Sequence, residues 1–161
     1  MYEWTQEADA ARFVRTYADL ILRLCLSHGL NRADAQDICQ ELFIKLLTGR
    51  RRFSGAEHEK AWVIRAAGNA CKNLRRAAHH SRRAALEEAC TVAADTGGEN
   101  DVLDAVRALP ERYRAAAVLL WIEGYPPDEA ARLLGISPAA LRKRIERARK
   151  QIKTELKGVF T

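Results

Sequence analysis

The stretch "EAARLLGISPAALRKRIERARK", residues 129–150, decides how the C-terminal half folds. Ala130, Ala131 and Leu134 mark a short scaffold helix, and Gly135 permits a tight reversal after it. Ile136 plugs the angle between two helices. Ser137 is a good N-cap and Pro138 a good first helical residue. Leu141, Ile145, Ala148 and Ile152 then recur at steps of four, three and four, which makes one buried stripe. Outside the stripe lie Ala139, Arg142, Lys143, Glu146, Arg149 and Lys150, with Arg144 and Arg147 on its flanks. A helix-turn-helix lays the start of its second helix in the major groove, with its N-terminal residues toward base edges. Ala139, Arg142, Lys143 and Glu146 are therefore placed to read bases, and Arg144, Arg147 and Lys150 to hold phosphates. The backbone N–H groups after Ser137 offer a further phosphate contact. A merely basic amphipathic helix would need neither the glycine turn nor the Ser-Pro start.

Upstream of this unit, Val102, Ala105, Val106 and Leu109 give a short helix ended by Pro110. Pro110 fits the first turn of the next helix, whose inward side is Tyr113, Ala116, Ala117, Leu120 and Trp121. Gly124 and Pro126-Pro127 close that helix and open the scaffold helix at about residue 127.

The N-terminal half is also helical by period. A first helix, roughly residues 7–27, carries Val14, Tyr17, Ile21, Leu24 and Cys25, and Gly29 is a plausible stop. Asn31, with Asp34 three places on, forms an approximate capping box for a second helix. Its stripe is Ala35, Ile38, Cys39, Leu42, Phe43 and Leu46. The other face shows Asp34, Asp37, Gln40, Glu41 and Lys45, which is either a solvated surface or a docking surface for a basic partner. Residues 48–59 read as a loop. A third helix, about 60–76, carries Trp62, Val63, Ala66, Ala67, Ala70 and Leu74 inward, and Arg65, Asn69, Lys72, Asn73, Arg75 and Arg76 elsewhere. Asparagine pairs with adenine edges, and arginine with guanine edges or phosphates. Phe53 and Trp62 can stack on unpaired bases, although a lone tryptophan in such a helix is more often core.

Charge separates along the chain. Residues 45–83 hold eleven Lys or Arg against Glu57 and Glu59, and residues 132–157 hold nine against Glu146 and Glu155. Between them, residues 84–106 hold six acids and no base. Two basic lobes joined by an acidic stretch suit a polyanion contacted at two places. No apolar run is long enough to cross a bilayer, and Glu3, Glu7 and Asp9 break the pattern of a secretion signal, so a cytoplasmic protein without membrane insertion is expected. Cys25, Cys39, Cys71 and Cys90 form no C-x-x-C pair, and no histidine completes a metal-ligand spacing. Cys25, Cys39 and Cys71 fall among apolar residues at helical spacing and read as buried small hydrophobes. With no positioned nucleophile–base pair either, the expectation is a non-enzyme without cofactor or metal.

"ADAQDICQELFIKLL" (33–47) resembles region 2.2 of the sigma-70 family, in its small extracytoplasmic-function (ECF) group. "AWVIRAAGNACKNLRR" (61–76) resembles regions 2.3 and 2.4, and residues 108–152 resemble region 4, in the family's order. The resemblance implies an all-α chain of two small helical domains, residues 5–83 and 102–157, joined by a flexible acidic linker at 84–101. It implies a promoter-recognition subunit of bacterial RNA polymerase, whose partners are the core enzyme, promoter DNA and an anti-sigma factor where one exists. Asp37, Gln40 and Glu41 match the contact with the clamp helices of the largest polymerase subunit. Arg51, Arg52, Phe53, Trp62, Arg65, Asn69, Lys72, Asn73 and Arg76 occupy the zone that opens and holds the −10 element. Ser137, Ala139, Arg142, Lys143, Arg144, Glu146, Arg147 and Lys150 match the −35-reading unit. Where this sequence has Asn73, the family commonly carries an aspartate, so hydrogen-bonding reach is kept and charge is lost. The rivals are a helix-turn-helix regulator that never touches polymerase and a polymerase-binding inhibitor.

Overall fold

Residues 8–49, 52–84 and 101–160 are described by the computed structural model, with side chains described in 9–49, 52–77 and 102–153. Every regular element among them is helical. Helix α1 spans Ala8–Ser27 and buries Phe13, Tyr17, Leu20, Ile21, Leu24 and Cys25. Val14, expected in that stripe, is 58% exposed, although Ile21, two turns further along the same side of the helix, is buried. Gly29 adopts φ 80°, and the Leu30 N–H returns to the Cys25 carbonyl at 2.9 Å. Helix α2, Arg32–Thr48, starts at the expected capping box. The Asp34 N–H donates to Asn31 Oδ1 at 2.8 Å and the Asn31 N–H to Asp34 Oδ2 at 3.2 Å.

Helix α3, Ala56–Ala84, begins four residues before the expected start. The early turn is acidic, with Glu57 and Glu59, which the N-terminal end of a helix dipole favours. Glu59 is 1% exposed and takes Arg12 Nη1 at 3.0 Å, Arg12 Nη2 at 3.3 Å and the Tyr17 hydroxyl. A carboxylate is tolerated there because its oxygens are filled by donors. Nearby, Cys25 and Cys71 are buried with their sulfurs 3.3 Å apart, and Cys39 is half-buried. Contact with Cys71 and burial push the Cys25 thiol up, and burial raises Cys39 to about 11. Cys90 lies outside the described residues, as does most of the expected linker.

In the C-terminal lobe, α4 (Asp101–Arg107) and α5 (Glu111–Ala117) bury Leu103, Val106, Leu109, Tyr113, Ala116 and Ala117. Helix α5 runs into a π turn, Val118–Ile122, closed by the Glu123 N–H on the Val118 carbonyl at 2.9 Å. The wider turn resets the helical phase, so Leu120 and Trp121, expected inward, are only half-buried. Helices α6 (Pro127–Leu134) and α7 (Pro138–Phe160) complete the chain.

The two lobes touch. Helix α1 has no basic residue in its last turn, and its terminal carbonyls are met from outside it. Arg75 of α3 donates to the His28 carbonyl at 2.9 Å, and Arg107 of α4 to the Leu26 carbonyl at 3.0 Å. Arg23 grips Glu123 with two nitrogens, Nη2 lying 3.0 Å from Oε2. Arg132 pairs with Glu57 at 2.9 Å, and Lys60 Nζ sits 4.9 Å above the Tyr125 ring centre. His28 is buried at this junction, and its ring nitrogens lack a hydrogen-bond partner. Burial, followed by the positive charges of Arg114, Lys72 and Arg75, pushes its pKa down to about 4.

Candidate nucleic-acid interface

The reversal after α6 has the expected geometry. Gly135 adopts φ 70°, and the Ile136 N–H closes the turn on the Ala131 carbonyl at 3.0 Å. Ala130, Ala131 and Leu133 are buried. Leu133 takes the inward place that the sequence assigned to Leu134, which is half-buried. Ser137 caps α7, its Oγ accepting the Ala140 N–H at 3.1 Å. Leu141, Ile145 and Ala148 are buried, which turns Ala139, Arg142, Lys143, Glu146, Arg147, Arg149 and Lys150 to the exposed side. Arg144 is half-buried on the flank. Helix α7 therefore exposes several basic side chains and one acidic one, starting at a capped N-terminus.

The second surface is a cleft of 770 Å³ between α2 and α3. Asp37, Glu41 and Lys45 stand on its α2 wall, and Trp62, Asn69 and Asn73 on its α3 wall, over a floor that includes Ile38, Ala66 and Ala70. Asp37, Gln40 and Glu41 are exposed, and Glu41 pairs with Lys45 at 3.3 Å. Trp62 is half-buried, packing on the core while still lining the cleft. Arg52, Asn69, Asn73 and Arg76 are exposed and Lys72 is half-buried.

Two expected residues sit differently. Phe53 is 2% exposed, its ring 5.2 Å from the His58 ring and 6.3 Å from Trp62, so it supports the loop from inside and offers no face to a base here. Arg65 is exposed, but its Nε donates to the Leu133 carbonyl at 3.3 Å, in the other lobe. Arg51 lies outside the described residues. The inter-lobe partners Arg23, Glu123 and Arg132 were not singled out by sequence, because nothing local marks a pair 100 residues apart. Among the described residues, no group of three His, Cys, Asp or Glu is placed to hold a metal ion. No described helix is long and apolar enough to cross a membrane.

Fold and surfaces together define a two-lobed helical protein with a helix-turn-helix in one lobe and an acid-edged cleft in the other. Residues 13–81 match the sigma-70 region 2 family, and residues 99–152 match sigma-70 region 4. The ECF RNA polymerase sigma factor SigE of Mycolicibacterium smegmatis is 31% identical over 154 residues, covering 89% of this chain and 60% of the relative. RNA polymerase sigma factor CarQ of Myxococcus xanthus is 32% identical over 135 residues, covering 80% of this chain and 77% of CarQ. Among solved structures, CnrH in complex with the cytosolic domain of CnrY superposes with a TM-score of 0.63. It is 26% identical and covers 92% of this chain and 88% of CnrH. The chain belongs to the sigma-70 family of RNA polymerase sigma factors, in the ECF group.

Proposed function

We propose that this chain is a promoter-specificity subunit of bacterial RNA polymerase. Residues 5–83 form the polymerase-docking and −10 domain, residues 84–101 the linker, and residues 102–157 the −35 domain. Asp37, Gln40 and Glu41 dock on the clamp helices of the largest polymerase subunit, where acids suit a basic helical surface. Arg51, Arg52, Trp62, Arg65, Asn69, Lys72, Asn73 and Arg76 act on the −10 element, with Phe53 holding their loop in shape. Arg142, Lys143, Glu146 and Ala139 face −35 base edges, while Arg144, Arg147 and Lys150 take phosphates and Ser137 caps the reading helix.

One observation supports this reading above the others: the docking acids and the strand-facing asparagines share a single cleft. A clamp helix seated on α2 would stand beside any base held by Trp62, Asn69 and Asn73. Docking and strand capture then support each other, and a base costs least to extrude where the duplex is already weak. Linking both DNA contacts through one chain lets two modest affinities act together. The phosphodiester chemistry belongs to the polymerase.

The lobes must separate for this work. Promoter elements centred near −35 and −10 lie roughly 85 Å apart at about 3.4 Å per base pair. Yet a Cβ built on Gly135, at the helix-turn-helix reversal, would stand 3.0 Å from an Arg65 guanidinium nitrogen. In this arrangement the chain holds one element at a time. Polymerase supplies the frame on which both are held. The CnrH neighbour carries the cytosolic domain of CnrY, and an anti-sigma partner of that kind is proposed here too.

Charge reversal tests the docking step. Asp37→Arg with Glu41→Arg abolishes association with purified core polymerase while an isolated −35 duplex is still bound. Unchanged core binding would defeat the assignment of α2.

A further inference from the structure

Three large apolar side chains stand out into solvent among the described residues: Val14 at 58%, Ile44 at 56% and Val102 at 44%. Ile44 differs from the other two in its neighbours. At about 100° per residue, it lies about 20° around the helix from Asp37, about 40° from Gln40 and about 60° from Glu41. It is thus in the middle of the acid-amide face, one turn beyond Gln40 and Glu41. The Glu41–Lys45 ion pair, at 3.3 Å, borders it on one side. Towards the helix end, the Thr48 hydroxyl is turned back onto the Ile44 carbonyl at 2.8 Å. A β-branched side chain in a helix keeps essentially one rotamer, so little freedom is lost when it is covered. Burying such a chain inside a ring of polar groups that exclude water is how interfaces concentrate their affinity.

We propose that Ile44 is the apolar anchor of the docking face, inserted into a recess of the basic helical surface of core polymerase that Asp37 and Glu41 approach by charge. This rests on the docking reading of α2 above. Charge then brings the surfaces together and sets orientation, and Ile44 holds them. The consequence is that affinity at this face depends on a residue with no charge and no role in the fold.

The test measures association of the full chain with purified core polymerase for Ile44→Ala, Ile44→Glu, Ile44→Val and Val14→Ala, beside the Asp37→Arg/Glu41→Arg pair. Circular dichroism melts check that each variant is folded. Ile44→Ala weakens binding about tenfold, equivalent to about 1.4 kcal/mol. Ile44→Glu weakens it at least as much even though it adds the sign of charge that the partner attracts. Ile44→Val stays within about threefold, and Val14→Ala binds as wild type. If the charge-reversed pair fails to bind while Ile44→Ala and Ile44→Glu bind normally, the anchor is refuted and the docking face stands. If Val14→Ala is weakened as much as Ile44→Ala, the anchor is refuted as well. If the charge-reversed pair binds normally, the docking reading itself falls.

Discussion

His28 gives the structure a measurable pH dependence. Its ring is buried without a hydrogen-bond partner, and the cations near it come from both lobes, Lys72 and Arg75 of α3 and Arg114 of α5. An imidazole held at about 4 binds its proton less well folded than unfolded, where the value is about 6.5. The unfolded chain therefore takes up more protons as pH falls below about 6.5, and stability declines with it. Above that value both states are neutral at this site and nothing is lost. The full separation corresponds to about 3 kcal/mol, of which about 2 kcal/mol is lost between pH 7 and pH 5. Urea unfolding of wild type and His28→Phe at the two pH values isolates the term from the carboxylates. The wild type loses about 2 kcal/mol more than the variant, and an NMR titration finds the imidazole still neutral at pH 5. Equal losses in both proteins, or an imidazole titrating near 6.5, would refute the burial argument.

Other perturbations act through separate mechanisms. Gly135→Ala places a side chain at φ 70° and 3.0 Å from Arg65, so it costs about 1–2 kcal/mol in urea unfolding; adding Arg65→Ala recovers the contact part and leaves the backbone strain. Glu59→Ala removes the buried carboxylate that Arg12 and the Tyr17 hydroxyl donate to, and costs about 2–3 kcal/mol by the same assay, since Asp9, 3.5 Å from Arg12, retains part of the pairing. In binding to −35 duplexes, Arg142→Ala costs about 1–3 kcal/mol and relaxes preference at one base pair. Arg147→Ala weakens all sequences alike and lowers the slope of log affinity against log salt by about 1.

Local chemistry was legible in the sequence. The Asn31 capping box, the Gly135 reversal and the Ser137 cap each follow from two or three residues close in the chain, and each forms as expected. The stripe of α2 and that of α7 follow from period alone. What period could not show was phase and distance. The π turn at Val118–Ile122 shifted Leu120 and Trp121, and acidic Glu57 and Glu59 disguised the start of α3 as loop. The stacking role expected of Phe53 overlooks its burial, because a loop ring beside arginines carries no mark of the pocket it fills. The contact between lobes was invisible for a stronger reason. Arg23 finds Glu123, Arg65 finds Leu133 and Arg107 finds Leu26 across 68 to 100 residues, and no repeat or spacing relates them.

The most direct test of the whole is run-off transcription by purified core polymerase with this chain over a randomised promoter library. Transcripts should start at defined sites that share two upstream elements about 25 base pairs apart, with the upstream preference lost in Arg142→Ala. Transcription no more site-specific than that of core polymerase alone would contradict it.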